Sequence, residues 1–259
     1  LIRAQRADLD DAAAETRSWA VVSILTTPSY YDFALSRRRL KRELIAASKH
    51  VISDPPPHPA ADHAPLAIDR SPSSRREQLI AAAARAFRRN GYAGVSIDDI
   101  GGEVGLVGPA LYRYFDTKAD ILVAAMTRFY EWQALETMRA LSWPHEPEQV
   151  MAALIGGYVR LVLEAPDLLA VALTERLYLP DDVRERLDRV RADNSAEWQR
   201  WLSVARPELP DPHTAVLVNV AKTIIDDAAR IPHLHKAPRF AAELCSAARS
   251  ALGLTQRAS

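Results

Sequence analysis

The segment from Val95 to Asp120 constrains the fold more than any other part of the chain. Ser96 can cap a first short helix, and Asp98 lies in the turn where the helix dipole favours negative charge. Gly105 is placed to end that helix in a left-handed conformation, which only glycine adopts cheaply. The segment therefore predicts two short helices joined by a tight glycine turn.

The second short helix carries the aromatic residues of this segment. Gly108 and Pro109 open it, because proline is tolerated where the first-turn amides lack partners. Leu111 and Phe115 are four residues apart and are predicted to face the core, which turns their neighbours outwards. This layout is typical of a DNA-reading helix-turn-helix. The residues predicted to contact DNA are Ser96, Gly108, Pro109, Ala110, Tyr112, Arg113, Tyr114 and Lys118.

Residues 75 to about 125 resemble the DNA-binding domain of the TetR family of bacterial transcriptional regulators. The likeness rests on the first helix R-R-E-Q-L-I-A-A-A-A-R-A-F-R-R-N-G-Y, on L-Y-R-Y-F-D-T-K, and on A-D-I-L, which opens the family's fourth helix. The chain departs at Val107, where the family often has Ser or Thr, and valine cannot cap a helix. The resemblance implies an all-helical homodimer that binds operator DNA, and a repressor released by a small-molecule effector.

The composition agrees with a soluble two-domain protein. A chain of 259 residues has room for one small and one medium domain. No apolar run approaches the roughly 20 residues that a membrane helix needs, so no membrane partner is expected. The single Cys245 fits a reducing cytoplasm, and its helical pattern favours a buried structural thiol. The balance of 33 basic and 33 acidic residues is no objection to DNA binding, since only the docking face needs positive charge.

Enzymatic functions find little support in the sequence. Gly101-Gly102 and Gly156-Gly157 lack the flanking strand that phosphate-binding loops need. His233 and His235 have no further ligand at metal spacing. We therefore expect no catalytic residues, no cofactor and no metal, and no buried cluster of charges that would hold an ionic ligand.

The remainder of the chain reads as helices separated by prolines, without an alternating strand pattern. The predicted class is therefore all-α, a three-helix DNA-binding domain followed by a helical bundle. The predicted helices of the C-terminal part are Thr117 to Leu141, Pro147 to Leu163, Pro166 to Leu177, Asp181 to Val204, His213 to Arg230 and Pro238 to Leu252.

Two sets of residues in this bundle are candidates for binding. The resemblance implies that the last two helices form the dimer, although some of their residues could equally belong to a monomer's core. The interface candidates are Ala215, Val218, Ile224, Ile225, Phe240, Leu244, Ala247 and Ala251. An apolar or amphipathic effector would lie among the middle helices, where aromatic residues are more often plain core than pocket. The pocket candidates are Phe129, Trp132, Met138, Tyr158, Leu161, Tyr178, Trp198 and Trp201.

About seventy residues precede the DNA-binding domain, and no signal peptide is visible there. Helices are predicted over Asp8 to Leu25 and Arg37 to Ile52, and a proline-rich linker from Ser53 to Pro65. The stretch from Arg38 resembles the stretch from Pro238, and Pro28 parallels Pro232. Either the N-terminal segment repeats the last two helices, as a remnant or part of a tandem regulator, or two Ala-rich amphipathic helices look alike.

The predicted domains are residues 1–52, an extra helical segment; 53–72, a linker; 73–120, the DNA-binding domain; and 121–259, the ligand-binding and dimerisation domain. The basic run from Ser36 to Arg42 is better explained as a solvated helix face than as a nucleic-acid site. The alternative to a regulator is a ligand carrier or scaffold that has lost operator binding, motivated by Val107 and by the extra N-terminal segment.

Overall fold

A computed structural model describes residues 2–56, 74–106, 110–142 and 146–254 of the chain. Over these ranges the backbone forms α-helices and short 3-10 turns and no β-strand, which confirms the all-α class. The helices are α1 (Ile2–Gln5), α2 (Asp11–Thr26), α3 (Arg37–Ser53), α4 (Arg75–Asn90), α5 (Ile97–Glu103), α6 (Lys118–Leu141), α7 (Pro147–Glu164), α8 (Pro166–Thr174), α9 (Asp181–Ala205), α10 (Asp211–Ala229) and α11 (Phe240–Ala251).

Local chemistry explains where several of these helices begin. Asp10 precedes α2 and accepts a hydrogen bond from the Ala13 amide at 2.7 Å, which satisfies one of the free donors of the first turn. Pro147 and Pro166 are the first residues of α7 and α8, where no amide donor is required. The predicted helices after Thr117 therefore agree closely with those observed, except that α8 ends at Thr174 and a 3-10 turn follows at Arg176–Tyr178.

The chain divides into two compact units that interleave along the sequence. The smaller unit consists of residues 63–134 and 165–192 and contains α4, α5, α8 and most of α6. Its core includes apolar side chains from all four helices, and α4 packs against α5 and α8. Fully buried members of this core are Leu79, Phe87, Ile100, Leu122, Met126 and Leu169.

The larger unit consists of residues 1–62, 135–164 and 193–259. Here α2 and α3 pack against each other and against α10 and α11, and α11 also packs against α7. The N-terminal segment is therefore part of this unit's core, with Ile24 and Val51 buried as fully as Ile224 and Leu244. The domain boundaries proposed from the sequence stay predictions, since these units group the residues differently.

A buried ion pair joins α2 to α11 in the larger unit. Arg17 Nη2 lies 3.4 Å from Glu243 Oε2, and both side chains are almost completely buried. Arg17 Nη1 also donates to the Val51 carbonyl at 3.0 Å and to the Asp54 carbonyl at 2.6 Å. Burial lowers the pKa of Arg17 and raises that of Glu243, each against the opposing effect of the partner charge. Arg17 thus fastens α2 to the ends of two neighbouring helices.

Several sequence expectations outside the DNA-binding segment can be located. The basic run at the start of α3 is exposed to solvent, and no helix among the described residues is long and apolar enough to cross a membrane. His233 contacts Glu15 at 2.8 Å, and His235 stacks on Phe240. Burial raises the pKa of the Cys245 thiol to about 11, as suits an unreactive structural cysteine. The predicted linker lies mostly outside the described residues.

Candidate nucleic-acid interface

The first helix of the candidate interface, α5, is capped at both ends by local hydrogen bonds. Ser96 Oγ accepts from the Asp99 amide at 3.1 Å, while the Ser96 amide donates to Asp99 Oδ2 at 2.9 Å, forming a capping box. At the other end, the Leu106 amide donates to the Gly101 carbonyl at 2.9 Å across Gly105, which has a φ of +69°. This is a Schellman ending, and it confirms the left-handed glycine expected from the sequence.

A glycine inside α5 allows the two short elements to approach closely. A Cβ atom on Gly101 would lie 2.5 Å from Leu111 Cδ1 and 2.6 Å from the Leu106 carbonyl oxygen. The neighbouring Gly102 faces open space, with no atom within 4 Å of such a Cβ. The packing role of Gly101 was not predictable, because it depends on contacts that the sequence does not display.

The second element of the motif presents polar and aromatic side chains to solvent. Ala110–Phe115 forms a single turn, in which the Tyr114 amide donates to the Leu111 carbonyl at 2.9 Å. Leu111 and Phe115 are buried, as predicted, whereas Tyr112 is 50% exposed and Tyr114 39% exposed. Arg113 between them is also exposed. The candidate contacts Gly108 and Pro109 lie outside the described residues, as does Val107.

Lys118, the last predicted DNA contact, has a structural role in this conformation. Its ammonium group donates to the carbonyl oxygens of Tyr92 at 2.8 Å and Val95 at 2.7 Å, and lies 4.1 Å from the centroid of the Tyr92 ring. An ammonium group has three donors, so two of them already fix the loop between α4 and α5. Its contact with a DNA phosphate stays a prediction that rests on the third donor.

Arginines on α4 hold the motif together from one side. Arg75 Nη1 donates to the Val104 carbonyl at 3.0 Å, at the end of α5. The Arg76 guanidinium lies 4.8 Å from the Phe115 ring centroid, above the second element. Glu103 of α5 pairs with Arg85 at 3.3 Å and with Arg89. The basic residues of α4 thus position the two short elements of the motif.

Further contacts tie α4 to the other helices of the smaller unit. Arg128 of α6 binds the Glu77 carboxylate through both terminal nitrogens, and this hydrogen bonding lowers the pKa of Glu77. Arg88 Nη1 donates to Asp167 Oδ1 of α8 at 2.9 Å. Tyr92 stacks on Tyr178, with ring centroids 4.8 Å apart. A movement of α6 or α8 would therefore be transmitted to α4.

The predicted pocket residues do not gather at one place. Tyr158 and Trp198 meet edge to face with ring centroids 6.0 Å apart, and both are buried. Trp132 is 40% exposed and Met138 66% exposed, so the structure does not place them in a closed cavity. The others are dispersed: Phe129 and Leu161 are buried, Tyr178 is half exposed and stacks on Tyr92, and Trp201 donates to Glu197.

Buried charges, which were not expected from the sequence, do occur in the larger unit. Beside Tyr158 and Trp198 lie two buried charged residues, Lys222 and Asp226, one turn apart on α10. The Tyr158 hydroxyl donates to Asp226 Oδ1 at 2.7 Å. Burial raises the pKa of Asp226 to about 7, outweighing the lowering effects of Tyr158 and Lys222. The sequence offered the i, i+4 spacing of Lys222 and Asp226 as a signal, but such pairs usually lie on solvated faces.

Lys222 also connects this cluster to α9. Its Nζ donates to Asn194 Oδ1 at 2.7 Å and to Ser195 Oγ at 3.0 Å, and lies 5.2 Å from the Trp198 ring centroid. Asn194 in turn donates to Thr137 Oγ1 of α6 at 2.9 Å. We call the set Tyr158, Asn194, Trp198, Lys222 and Asp226 the buried polar cluster. It links side chains of α6, α7, α9 and α10.

Most of the residues predicted to form the dimer interface are buried within the chain. Ala215 is half-buried, and the other candidates are buried, namely Val218, Ile224, Ile225, Phe240, Leu244, Ala247 and Ala251. Because α2 and α3 pack against α10 and α11, helices of the same chain cover a large part of this face. The assignment of these residues to a contact between two chains stays a prediction.

Comparisons with known proteins bear on the segment just described. Residues 79–125 match the family model of bacterial regulatory proteins of the tetR family. An uncharacterized HTH-type transcriptional regulator of Mycobacterium tuberculosis is 34% identical over 94 residues, which are 36% of this chain and 40% of that relative. The chain thus spans about two fifths of the length of this curated relative.

Two solved structures share the fold over a longer stretch. A TetR-family transcriptional regulator from Bordetella parapertussis 12822 has a TM-score of 0.63 and 22% identity, and the match covers 69% of this chain and 95% of that one. A complex of AibR with isovaleryl coenzyme A and operator DNA has a TM-score of 0.52 and 18% identity, covering 58% and 84%. At these identities the likeness shows the fold alone.

Proposed function

We propose that the chain is a DNA-binding transcriptional regulator of the TetR family, whose family model matches residues 79–125. Its finer role in this proposal is that of a repressor, released from its operator by a small molecule. The observation that carries the proposal is the exposed series Tyr112, Arg113 and Tyr114 on a turn whose other side is fixed in the core by Leu111 and Phe115.

The proposed contacts divide into those that position the protein and those that read bases. Tyr112 and Lys118 contact phosphates, while Gly108 and Ala110 approach base edges or the sugar-phosphate path. Phosphate contacts fix the register without reading sequence, and base-edge contacts specify it. Arg113 is suited to either role, because its planar guanidinium can bind a phosphate or a guanine edge.

The proposed effector binds among α6, α7, α9 and α10, around the buried polar cluster. Of the two effector types considered from the sequence, this cluster favours an amphipathic molecule, because it offers a carboxyl, a hydroxyl and an ammonium beside the Trp198 ring. The related AibR was crystallised with isovaleryl coenzyme A and operator DNA. That precedent supports a small-molecule effector for this chain without identifying it.

The test is binding of the full chain to duplex DNA from the region upstream of its own gene. Arg113→Ala should weaken binding and reduce the slope of log affinity against log salt by about one, if Arg113 neutralises one phosphate. Arg139→Ala, at another exposed arginine and in the larger unit, is the control and should leave both quantities unchanged. Equal affinities and slopes for the two variants would count against the proposed interface.

A second candidate function is a helical ligand carrier that keeps the fold without operator binding. It is favoured by Val107, which cannot cap the recognition element, and by the packing of the N-terminal helices on α10 and α11. The same DNA experiment separates the two functions. A folded chain that binds a cavity ligand and shows no preference for upstream DNA over unrelated duplex would support the carrier.

A further inference from the structure

The N-terminal part of the chain aligns with its C-terminal part at a constant shift of 200 residues, as from Arg6 to Arg206. Helix α2 begins at Asp11 and α10 at Asp211. The helices that follow them, α3 and α11, end at Ser53 and Ala251, within two positions of each other at this shift. This register differs from the parallel of Pro28 with Pro232 that the sequence suggested, because Pro28 now corresponds to Ala228. The shift requires no insertion between the two helices.

Buried positions agree between the two copies. Ala20 and Ile24 of α2 are buried, as are Val220 and Ile224 of α10. In α3 and α11 the agreement covers three pairs, which are Leu44 with Leu244, Ala47 with Ala247, and Val51 with Ala251. Two unrelated amphipathic helices could match in this way, so burial alone does not establish a repeat.

An arginine contact before each helix pair is also repeated. Arg6 donates to the Ile52 carbonyl and, through Nε, to Asp8 Oδ1 at 2.8 Å. At the same positions of the second copy, Arg206 Nη1 donates to the Leu252 carbonyl at 2.9 Å and its Nε to Glu208 Oε1 at 2.7 Å. The following backbone bond is repeated too, from the Leu9 amide to Arg6 at 3.2 Å and from the Leu209 amide to Arg206 at 3.0 Å. Generic helix packing does not account for such a contact, whose donor and acceptors all correspond.

The two copies pack as the halves of a two-fold interface do. Like helix meets like helix, α2 with α10 and α3 with α11, and each copy's first helix also meets the second helix of the other. Glu43 and Glu243 are corresponding residues, and each faces a basic side chain of the other copy: His213 at 3.7 Å and Arg17 at 3.4 Å. The basic partners themselves do not correspond, since His213 matches Ala13 and Arg17 matches Leu217. The reciprocity typical of a symmetric dimer therefore lies in the pairing of the helices. Here both surfaces belong to one chain.

We propose that residues 1–54 are an internal copy of residues 201–254 that acts as a pairing partner in cis. The copy covers the face of α10 and α11 that a second chain would otherwise take, so that this four-helix core is completed within one chain. The pairing rests on the repeat and its packing, and it does not depend on the proposed function.

The first test is the mass of the full chain in solution, by sedimentation or light scattering over a hundredfold range of concentration. The expected mass is that of one chain, 28.7 kDa, and the melting temperature should be independent of concentration, since no association contributes to stability. Differently tagged copies, mixed and incubated, should not copurify. A two-chain mass, or a melting temperature that rises with concentration, would overturn the proposal.

The second test opens the internal interface. Arg17→Glu places two carboxylates opposite each other and should loosen α2 from α11, lowering the melting temperature and exposing the face of α10 and α11 to association between chains. The exchange Arg17→Glu with Glu243→Arg should restore the single-chain mass and regain part of the lost melting temperature. If Arg17→Glu does not fold, the mass of the unaltered chain still tests whether the two copies pair within one chain. Loss of DNA binding in any variant tests the proposed function and leaves the mass measurement unaffected.

Discussion

Gly101 and Gly102 are neighbours in α5 whose replacement by alanine should have opposite effects. A methyl group at Gly101 would overlap Leu111 Cδ1 and the Leu106 carbonyl oxygen, at 2.5 and 2.6 Å. Gly101→Ala should therefore lower the free energy of unfolding by about 1–3 kcal/mol, a typical cost of overpacking. It should also weaken DNA binding, because Leu111 holds the recognition element. Urea unfolding and a gel shift measure the two effects.

Gly102→Ala is the matched control, since no atom lies within 4 Å of the added methyl group. Alanine is favoured over glycine inside a helix by about 1 kcal/mol, so this variant should be as stable as the unaltered chain or more stable. Equal stability of the two alanine variants would show that the close approach of α5 to Leu111 is not tight in solution.

Asp226 should make the free energy of unfolding depend on pH. Burial raises its pKa from 3.8 to about 7, so between these values the folded chain holds a proton that the unfolded chain releases. The free energy of unfolding should therefore fall as the pH rises from about 4 to about 7 and then level off, by as much as a few kcal/mol. Asp226→Asn keeps an acceptor for the Tyr158 hydroxyl and should reduce this slope.

The slope should diminish without vanishing, because burial also raises the pKa of Asp227 and Glu243. Urea unfolding at pH 5 and pH 8 provides the comparison. Asp182→Asn, at an exposed position in α9, is the control and should leave the slope unchanged. A variant at position 226 with the full pH dependence of the original chain would contradict the assignment.

Single residues show where sequence reasoning reached its limit. The apolar positions Leu111 and Phe115 and the left-handed Gly105 followed from spacing and backbone sterics, and all three are found as expected. The burial of Lys222 was missed because the charge pattern of a helix does not tell which of its faces will be covered. Covering depends on the neighbouring helix α9, which supplies Asn194 and Ser195 from a distant part of the chain.

At the scale of elements, the repeated arginine contacts predict similar costs for two distant substitutions. Arg6→Ala and Arg206→Ala each remove bonds from a guanidinium to a helix-end carbonyl and to an acidic side chain. Hydrogen bonds of charged groups contribute about 1.5–3 kcal/mol. Because both sites are partly exposed, each substitution should lower the free energy of unfolding by an amount near the lower end of that range. Thermal or urea unfolding of the two variants gives the comparison.

Arg3→Ala is the control for both substitutions. Arg3 pairs with Asp11 on the surface, and its side chain is 57% exposed, so its loss should change stability little. A cost at Arg206 with none at Arg6 would mean that the N-terminal copy is not held as its counterpart is, and would weaken the inference of a repeat.

Helix positions were predictable from the sequence to a greater degree than helix partners. Prolines and capping residues act locally, and for this reason the bounds of α2, α3, α6, α7 and α9 lie close to those expected. The packing of α2 and α3 on α10 and α11 was not predictable, because an amphipathic stripe shows that a helix has a partner without showing which one. The same apolar residues of α10 serve a contact within the chain or a contact between chains equally well.

On the scale of the whole molecule, α6 is the helix that both units share, and we expect it to carry the proposed effect of a ligand on DNA binding. Its residues 118–134 belong to the smaller unit and 135–141 to the larger one. At one end Lys118 fixes the loop that follows α4, and near the other Thr137 accepts a bond from Asn194 of the buried polar cluster. A ligand that rearranges the cluster would thus act on a helix that begins at the DNA-binding motif.

This arrangement predicts a reciprocal coupling between effector and DNA. A ligand can shift the chain between two states only by binding one of them better, and typical couplings of about 1–3 kcal/mol correspond to changes in affinity of about 5- to 150-fold. Operator DNA must then weaken the binding of the effector by the same factor by which the effector weakens DNA binding. Titrations of each ligand in the absence and in the presence of the other, at one salt concentration, measure both factors.

Thr137→Val, which removes the contact of α6 with Asn194, should reduce the two factors together while leaving either affinity alone nearly unchanged. A tight ligand of the buried polar cluster that leaves DNA affinity untouched would show that the two sites are independent, and would favour the ligand carrier over the regulator.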